Sequence, residues 1–114
     1  MDTQTVLAGV TVTDFESSLD WYERLLGRAP DQRPMDGLAQ WQLSDTAIFQ
    51  VLEEPERAGG SVVGFTVADL AAEVAELRDR GITPENDERT SDRVLFETLI
   101  DPDGNKVGLL ARKD

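Results

Sequence analysis

Of the side chains that carry acid-base, nucleophilic or metal chemistry, this sequence keeps only a part. It holds no histidine and no cysteine, so it lacks the usual neutral-pH base, the imidazole metal ligand, the thiolate nucleophile and the sulfur ligands of zinc and iron-sulfur centres. Histidine-dependent metal catalysis and redox chemistry on the protein itself are excluded, and no cofactor is expected. No serine sits in a Gly-x-Ser-x-Gly elbow, and Gly59-Gly60-Ser61 lacks the lysine and spacing of a phosphate-cradling loop. Carboxylates remain. Glu97, with Asp92 and Arg93 just before it, is the acid-base candidate, because a carboxyl of raised pKa serves as general acid or base. Nothing in the spacing pairs these groups into a couple, and a solvated charge is the ordinary role of each.

The elements that must position any site follow from the apolar periodicity. Val6 to Val12 is rich in β-branched residues and ends at Thr13-Asp14, where the aspartate can cap a helix. Phe15, Leu19, Tyr22 and Leu26 then fall on one helical face, Gly27 stands at the C-terminal cap, and Pro30 and Pro34 forbid continuation. Three short strands are expected next, a weak one near 32–35, then 38–43 and 47–52. Asp36-Gly37 and Ser44-Asp45 supply the turns. Glu53 to Gly60 reads as a linker, after which the pattern restarts. A strand over 61–67 leads to a second capping aspartate, Asp69, and to the stripe Leu70, Val74, Leu77 before Gly81. A weak strand near 83–88, one at 94–100 and one at 106–111 complete the chain, with Asp101-Pro102-Asp103-Gly104-Asn105 as the last turn.

Asp14 and Asp69 therefore superimpose two halves, about 1–53 and 61–114 around a linker of about 54–60. The fold class expected is α+β: two βαβββ modules forming one curved, mixed, eight-stranded sheet, an open cup with both helices outside. Each half is too small to bury a core alone, so the 114 residues should fold as one domain. No run of residues is long and apolar enough to suggest a membrane span, and Met1 to Thr5 has no signal-peptide character, which predicts a cytoplasmic protein. With 23 acidic against 11 basic residues and a formal charge of −12, phosphate backbones and anionic headgroups are repelled. Neither nucleic acid nor membrane is an expected partner. The acidity either attracts a cationic ligand or serves solubility alone.

The run Val12-Thr13-Asp14-Phe15-Glu16-Ser17-Ser18-Leu19-Asp20-Trp21-Tyr22-Glu23-Arg24-Leu25-Leu26-Gly27 resembles the opening signature of the vicinal oxygen chelate superfamily, which includes glyoxalases, bleomycin resistance proteins and extradiol dioxygenases. Asp101-Pro102-Asp103-Gly104-Asn105 is similar to that family's late turn, and with the repeat the resemblance covers nearly the whole chain. Metal-dependent members hold an ion inside the cup through histidine, glutamate or glutamine at matching points of the two halves. Those points fall here on Leu7, on Val62, on Gly108, and on either Phe49 or Gln50, of which only Gln50 offers a donor. This chain thus resembles the members that lack the metal site.

The resemblance then implies non-catalytic binding or sequestration of a bulky aromatic or cationic small molecule in the cup, as in antibiotic resistance, by a homodimer with pockets near the subunit boundary. The alternative is a metal-independent enzyme using a rim carboxylate, and a third reading is an interaction partner whose cup is filled by side chains. Strand alternation puts Leu7, Gly9, Val62 and Gly64 toward the cup, opposite the bulkier set that packs under the helices. The family's register adds Phe96, Thr98, Gly108 and Leu110 to the same wall. Gly9, Gly64 and Gly108 mark either an open pocket or, as glycine in a strand ordinarily does, a bulge or a close approach of backbones. Trp41 and Phe49 are the stacking candidates of the first half, with core packing the alternative for each.

Overall fold

The computed structural model describes residues 1–85, 89–90 (backbone) and 93–113 of the chain. Strand β1 (Val6–Val12) leads into helix α1 (Phe15–Leu26), and β2 (Gln32–Met35), β3 (Leu38–Ser44) and β4 (Ala47–Glu53) follow. A 3-10 turn over Pro55–Arg57 precedes the second series, β5 (Val62–Thr66), α2 (Leu70–Asp79), β6 (Arg89–Thr90), β7 (Val94–Ile100) and β8 (Lys106–Arg112).

The two helix starts are built alike. The Asp14 carboxylate accepts from Ser17 N at 3.3 Å and that of Asp69 from Ala72 N at 3.0 Å, each satisfying a backbone donor that the first helical turn leaves unpaired. Gly27 closes α1 in the left-handed region at φ 77°, its N–H donating to Glu23 O at 2.8 Å. The helices differ in what they bury. Phe15, Leu19, Trp21, Tyr22 and Leu25 of α1 enter the core, whereas α2 commits Leu70 and Leu77.

Among the described residues eight strands form two four-stranded mixed sheets, ordered β1-β4-β3-β2 and β5-β8-β7-β6, with β1 parallel to β4 and β5 parallel to β8. The expected single sheet is divided at β1 and β5. These edge strands adjoin, but side chains join them in place of a backbone ladder. Ser61 Oγ accepts from Thr11 N at 3.4 Å, and Asn105 bridges the seam, donating to Thr11 O and accepting from Ser61 N, both at 2.8 Å. The last weak strand also differs: β6 is at Arg89–Thr90 rather than near 83–88; residues 83–85 are not strand, and 86–88 lie outside the described residues.

One core lies between the helices and the sheets and is shared by both halves. Its centre is a chain of aromatic rings, with centroids 4.8 Å apart for Trp21 and Tyr22, 5.4 Å for Tyr22 and Phe49, 6.0 Å for Trp41 and Phe49, and 5.3 Å for Phe49 and Phe65. The last pair crosses from one half to the other.

A buried polar node does the same. Tyr22 Oη donates to Asp101 Oδ2 at 2.7 Å, where Asn105 Nδ2 also donates at 2.8 Å; Asp101 Oδ1 accepts from Asp103 N and Asn105 N. Burial first, and then the adjacent Asp101 carboxylate, hold the Tyr22 phenol well above its ordinary range, so it stays a proton donor. Asp103 reaches back to Thr13 N at 3.1 Å. The late turn thus rivets the second half onto the first helix and first strand.

Candidate functional site

With the helices on one side, the other face of both sheets is left to solvent, and the pairing registers show which residues it presents. In the first half Leu7, Gly9 and Thr11 of β1 stand beside Ile48, Gln50 and Leu52 of β4, and these beside Gln42, Gln40 and Leu38 of β3. In the second half Val62, Gly64 and Thr66 of β5 stand beside Lys106, Gly108 and Leu110 of β8, and these beside Ile100, Thr98 and Phe96 of β7. Leu7 is 51 % and Val62 76 % exposed on this face. Apolar side chains open to water on one sheet face make that face a candidate contact surface.

Leu7, Gly9, Val62, Gly64, Phe96, Thr98, Gly108 and Leu110 thus share the open face. Trp41 and Phe49 do not. Both are fully buried on the helix side, directly opposite one another, and Trp41 Nε1 donates to Arg28 O at 3.0 Å. The expectation that they line the pocket is corrected, because pairing slips between Gln42 and Ser44 and sets the parity of both strands.

The glycines make room that neighbours fill. A Cβ on Gly9 would stand 2.8 Å from Gln50 Cγ, and one on Gly64 or Gly108 would stand 3.3 Å or 3.6 Å from Leu110 Cδ1. Close approach of the neighbouring strand holds at Gly9, where Gln50 O would also stand at 3.0 Å, whereas at Gly64 and Gly108 the neighbour is the Leu110 side chain, tight at the first and in ordinary contact at the second. Gln50 lies over the floor in one half and Leu110 in the other.

With Trp41 facing the core, its neighbours must face out, and this exposes a feature the sequence reading missed. Gln40 and Gln42 flank Trp41, Gln32 pairs with Gln40, and Gln40 Nε2 donates to Gln50 Oε1 at 3.0 Å. The signal was a glutamine on each side of a strand tryptophan, which becomes an amide stripe once the parity is known. Gln32, Gln40 and Gln42 line, with Asp31 and Ile48, a recess of about 110 Å³. Asp31 is pinned at its edge, accepting from Gln42 N at 2.6 Å and from Arg28 Nη1 at 2.8 Å. The Gln42 backbone bond first, and then the Arg28 guanidinium, hold the Asp31 carboxyl below its ordinary range.

The register also fixes the four points that the resemblance singles out as ion-holding positions. Gln50 pairs with Gly9 as Gly108 pairs with Gly64, so Gln50 is the counterpart of Gly108. The set is Leu7, Gln50, Val62 and Gly108, one amide oxygen among four positions, and among the described residues no three His, Cys, Asp or Glu side chains cluster. These residues do not fit a divalent ion that needs several protein ligands. The rim-carboxylate candidate is displaced as well. Glu97 lies opposite Leu109, buried on the helix side of β7, and Asp92 is outside the described residues. On the helix side, a second recess of about 140 Å³ opens between α1 and α2, lined by Leu25, Leu26, Phe65, Val67, Leu77 and Leu109 with Glu73.

The family model described as glyoxalase-like domain matches residues 4–110. The chain belongs to the glyoxalase-like domain family. Among solved structures, this glyoxalase-like domain is similar to a glyoxalase/bleomycin resistance protein from Catenulispora acidiphila, at 33 % identity and a TM-score of 0.89 over 96 % of this chain and 98 % of that one. TnmS3, an antibiotic binding protein from Streptomyces sp. CB03234, matches at 22 % identity and a TM-score of 0.79 over 98 % of each chain. A bleomycin-binding protein, solved in complex with bleomycin, matches at 23 % identity and 0.72 over 97 % of this chain and 100 % of that one. The last two likenesses bear on the glyoxalase-like fold alone. No curated protein sequence matches the chain. Among the described residues no helix is long and apolar enough to cross a membrane.

Proposed function

We propose that this glyoxalase-like domain binds and sequesters a bulky aromatic or cationic small molecule on its open sheet face, in the manner of an antibiotic resistance protein. The observation that carries the reading is the exposure of Leu7 and Val62 on a face whose four ligand positions hold a single amide donor. Affinity there comes from apolar burial and hydrogen bonds. Two structures of the same fold are described as antibiotic-binding and bleomycin-binding, which supports this reading. The formal charge of −12 favours the approach of a cationic ligand.

A single chain offers a face rather than a closed pocket. Met35 at the outer strand is 59 % exposed on the same side as Leu7 and Val62, and a second copy laid over this face supplies the missing wall. The homodimer is part of the proposal. Calorimetric titration with a panel of polycyclic and glycopeptide antibiotics tests it: at least one compound should bind in the micromolar range and be recovered unchanged by mass spectrometry. A chemically altered compound would point to an enzyme instead, and absence of binding across the panel would leave an interaction partner as the better reading. Sedimentation should show a dimer whose association weakens in Val62→Lys.

A further inference from the structure

The open face is chemically two-sided, and the two halves differ at equivalent positions. Gln40 corresponds to Thr98 and Gln50 to Gly108, since each pair lies directly opposite across its own two strands. Long amides in one half thus face short side chains in the other. The order of strands places β4 and β8 on opposite sides of the β1/β5 seam, each one strand in from it.

The amide side has a definite hydrogen-bonding demand. Gln40 Nε2 and Gln50 Oε1 satisfy one another, which leaves Gln40 Oε1 as an acceptor and Gln50 Nε2 as a donor with no partner among the described residues. Gln42 Nε2 is committed to Ser44 O. A neighbouring acceptor and donor are matched by a group that carries both, as a carboxamide, lactam or imide edge does. A carboxylate offers acceptors only and would enter beside the Asp31 carboxylate, in a chain of charge −12. An ammonium offers donors only, and the Asp31 carboxylate that borders the recess is already held by the Arg28 guanidinium and Gln42 N–H. The recess of about 110 Å³ beside the pair is of a size to take such a head group rather than a ring system.

From this juxtaposition we infer that the β3/β4 wall is a subsite for a neutral amide-type head group, and that the ligand's fused-ring body lies across the seam against Thr98 and Leu110, which covers Gly64 and Gly108. The inference rests on the open-face binding proposed above and names the class of ligand: an uncharged polycyclic aromatic with a carboxamide, lactam or imide at one end.

The test uses the full chain and four anthracenes that differ in one end substituent, carboxamide, carboxylate, aminomethyl or methyl, with binding read from the anisotropy of the probe's own emission. The carboxamide should bind about tenfold more tightly than the other three, since a site built to hydrogen-bond a group discriminates against analogues that leave its polar atoms unpaired. In Gln40→Leu/Gln50→Leu the carboxamide should fall to the affinity of the methyl compound while the methyl compound is unchanged. In Gln50→Glu the preference should pass to the aminomethyl compound. Circular dichroism checks the fold of each variant, and where the double variant is unfolded the Gln50→Glu result decides. Equal affinities in the natural chain, a preference there for either charged probe, or a carboxamide preference that survives the substitutions would overturn the subsite and leave open-face binding standing. Failure of all four to bind would overturn both.

Discussion

Gly9 and Asp31 show how single residues set the geometry of the open face. At Gly9 the backbone is ordinary and the constraint is space, because an added methyl would press on Gln50 Cγ at 2.8 Å and Gln50 O at 3.0 Å. Gly9→Ala should therefore cost about 1–3 kcal/mol, the usual range for overpacking, measured by urea denaturation, and it should displace Gln50 from its bond with Gln40. Asp31 supplies the pH dependence. Its folded-state pKa is depressed, so its contribution to stability is present above the unfolded-state value, near ~4, and is lost as pH falls through the folded value. The stability difference between the natural chain and Asp31→Asn should be flat between about pH 5 and 8 and shrink below about pH 4, read from thermal melts across that range. Such residue-scale facts were partly legible in the sequence. Asp14, Asp69 and Gly27 are recognisable because caps depend on local backbone alone, whereas the burial of Trp41 and Phe49 depends on a pairing slip near the Ser44-Asp45 turn that no local pattern announces.

Among the elements, the two helices share a design and differ in anchorage. α1 inserts an aromatic pair and three further apolar side chains into the core, while α2 sends in Leu70 and Leu77 and leaves the 140 Å³ recess beside Leu77. Fewer buried contacts mean a lower free energy of local opening. Amide hydrogens of α2 should accordingly exchange faster than those of α1, by about tenfold for each 1.4 kcal/mol of difference in opening, as hydrogen exchange by NMR would register. Comparable protection in the two helices would contradict this. The strands were legible to within a residue or two wherever apolar alternation is strong, as in β1, β4, β7 and β8. β6 was not, since Arg89 and Thr90 carry no alternation and pair with β7 only through long-range register.

For the whole molecule, the decisive feature is that the halves interlock through the Asp101–Asn105 turn and the Phe49–Phe65 contact. Asn105→Ala would strip Asp101, Thr11 O and Ser61 N of a partner at once, and leaving buried polar groups unpaired costs about 1–3 kcal/mol each. Urea unfolding followed by far-ultraviolet circular dichroism should stay a single transition with a lowered midpoint, because neither half has a core of its own. The repeat made this architecture readable in advance, through Asp14 and Asp69. The division into two sheets was not readable, since it turns on side chains of Ser61 and Asn105 reaching across a gap. The position of the aromatic chain has one practical outcome. Both indoles, Trp21 at 9 % and Trp41 at 0 % exposure, lie behind the sheets from the open face. A ligand on the far side therefore cannot stack on either indole, and quenching there requires energy transfer through the sheet, so a screen scored by quenching would pass over binders whose absorption does not overlap indole emission while remaining a faithful monitor of denaturation.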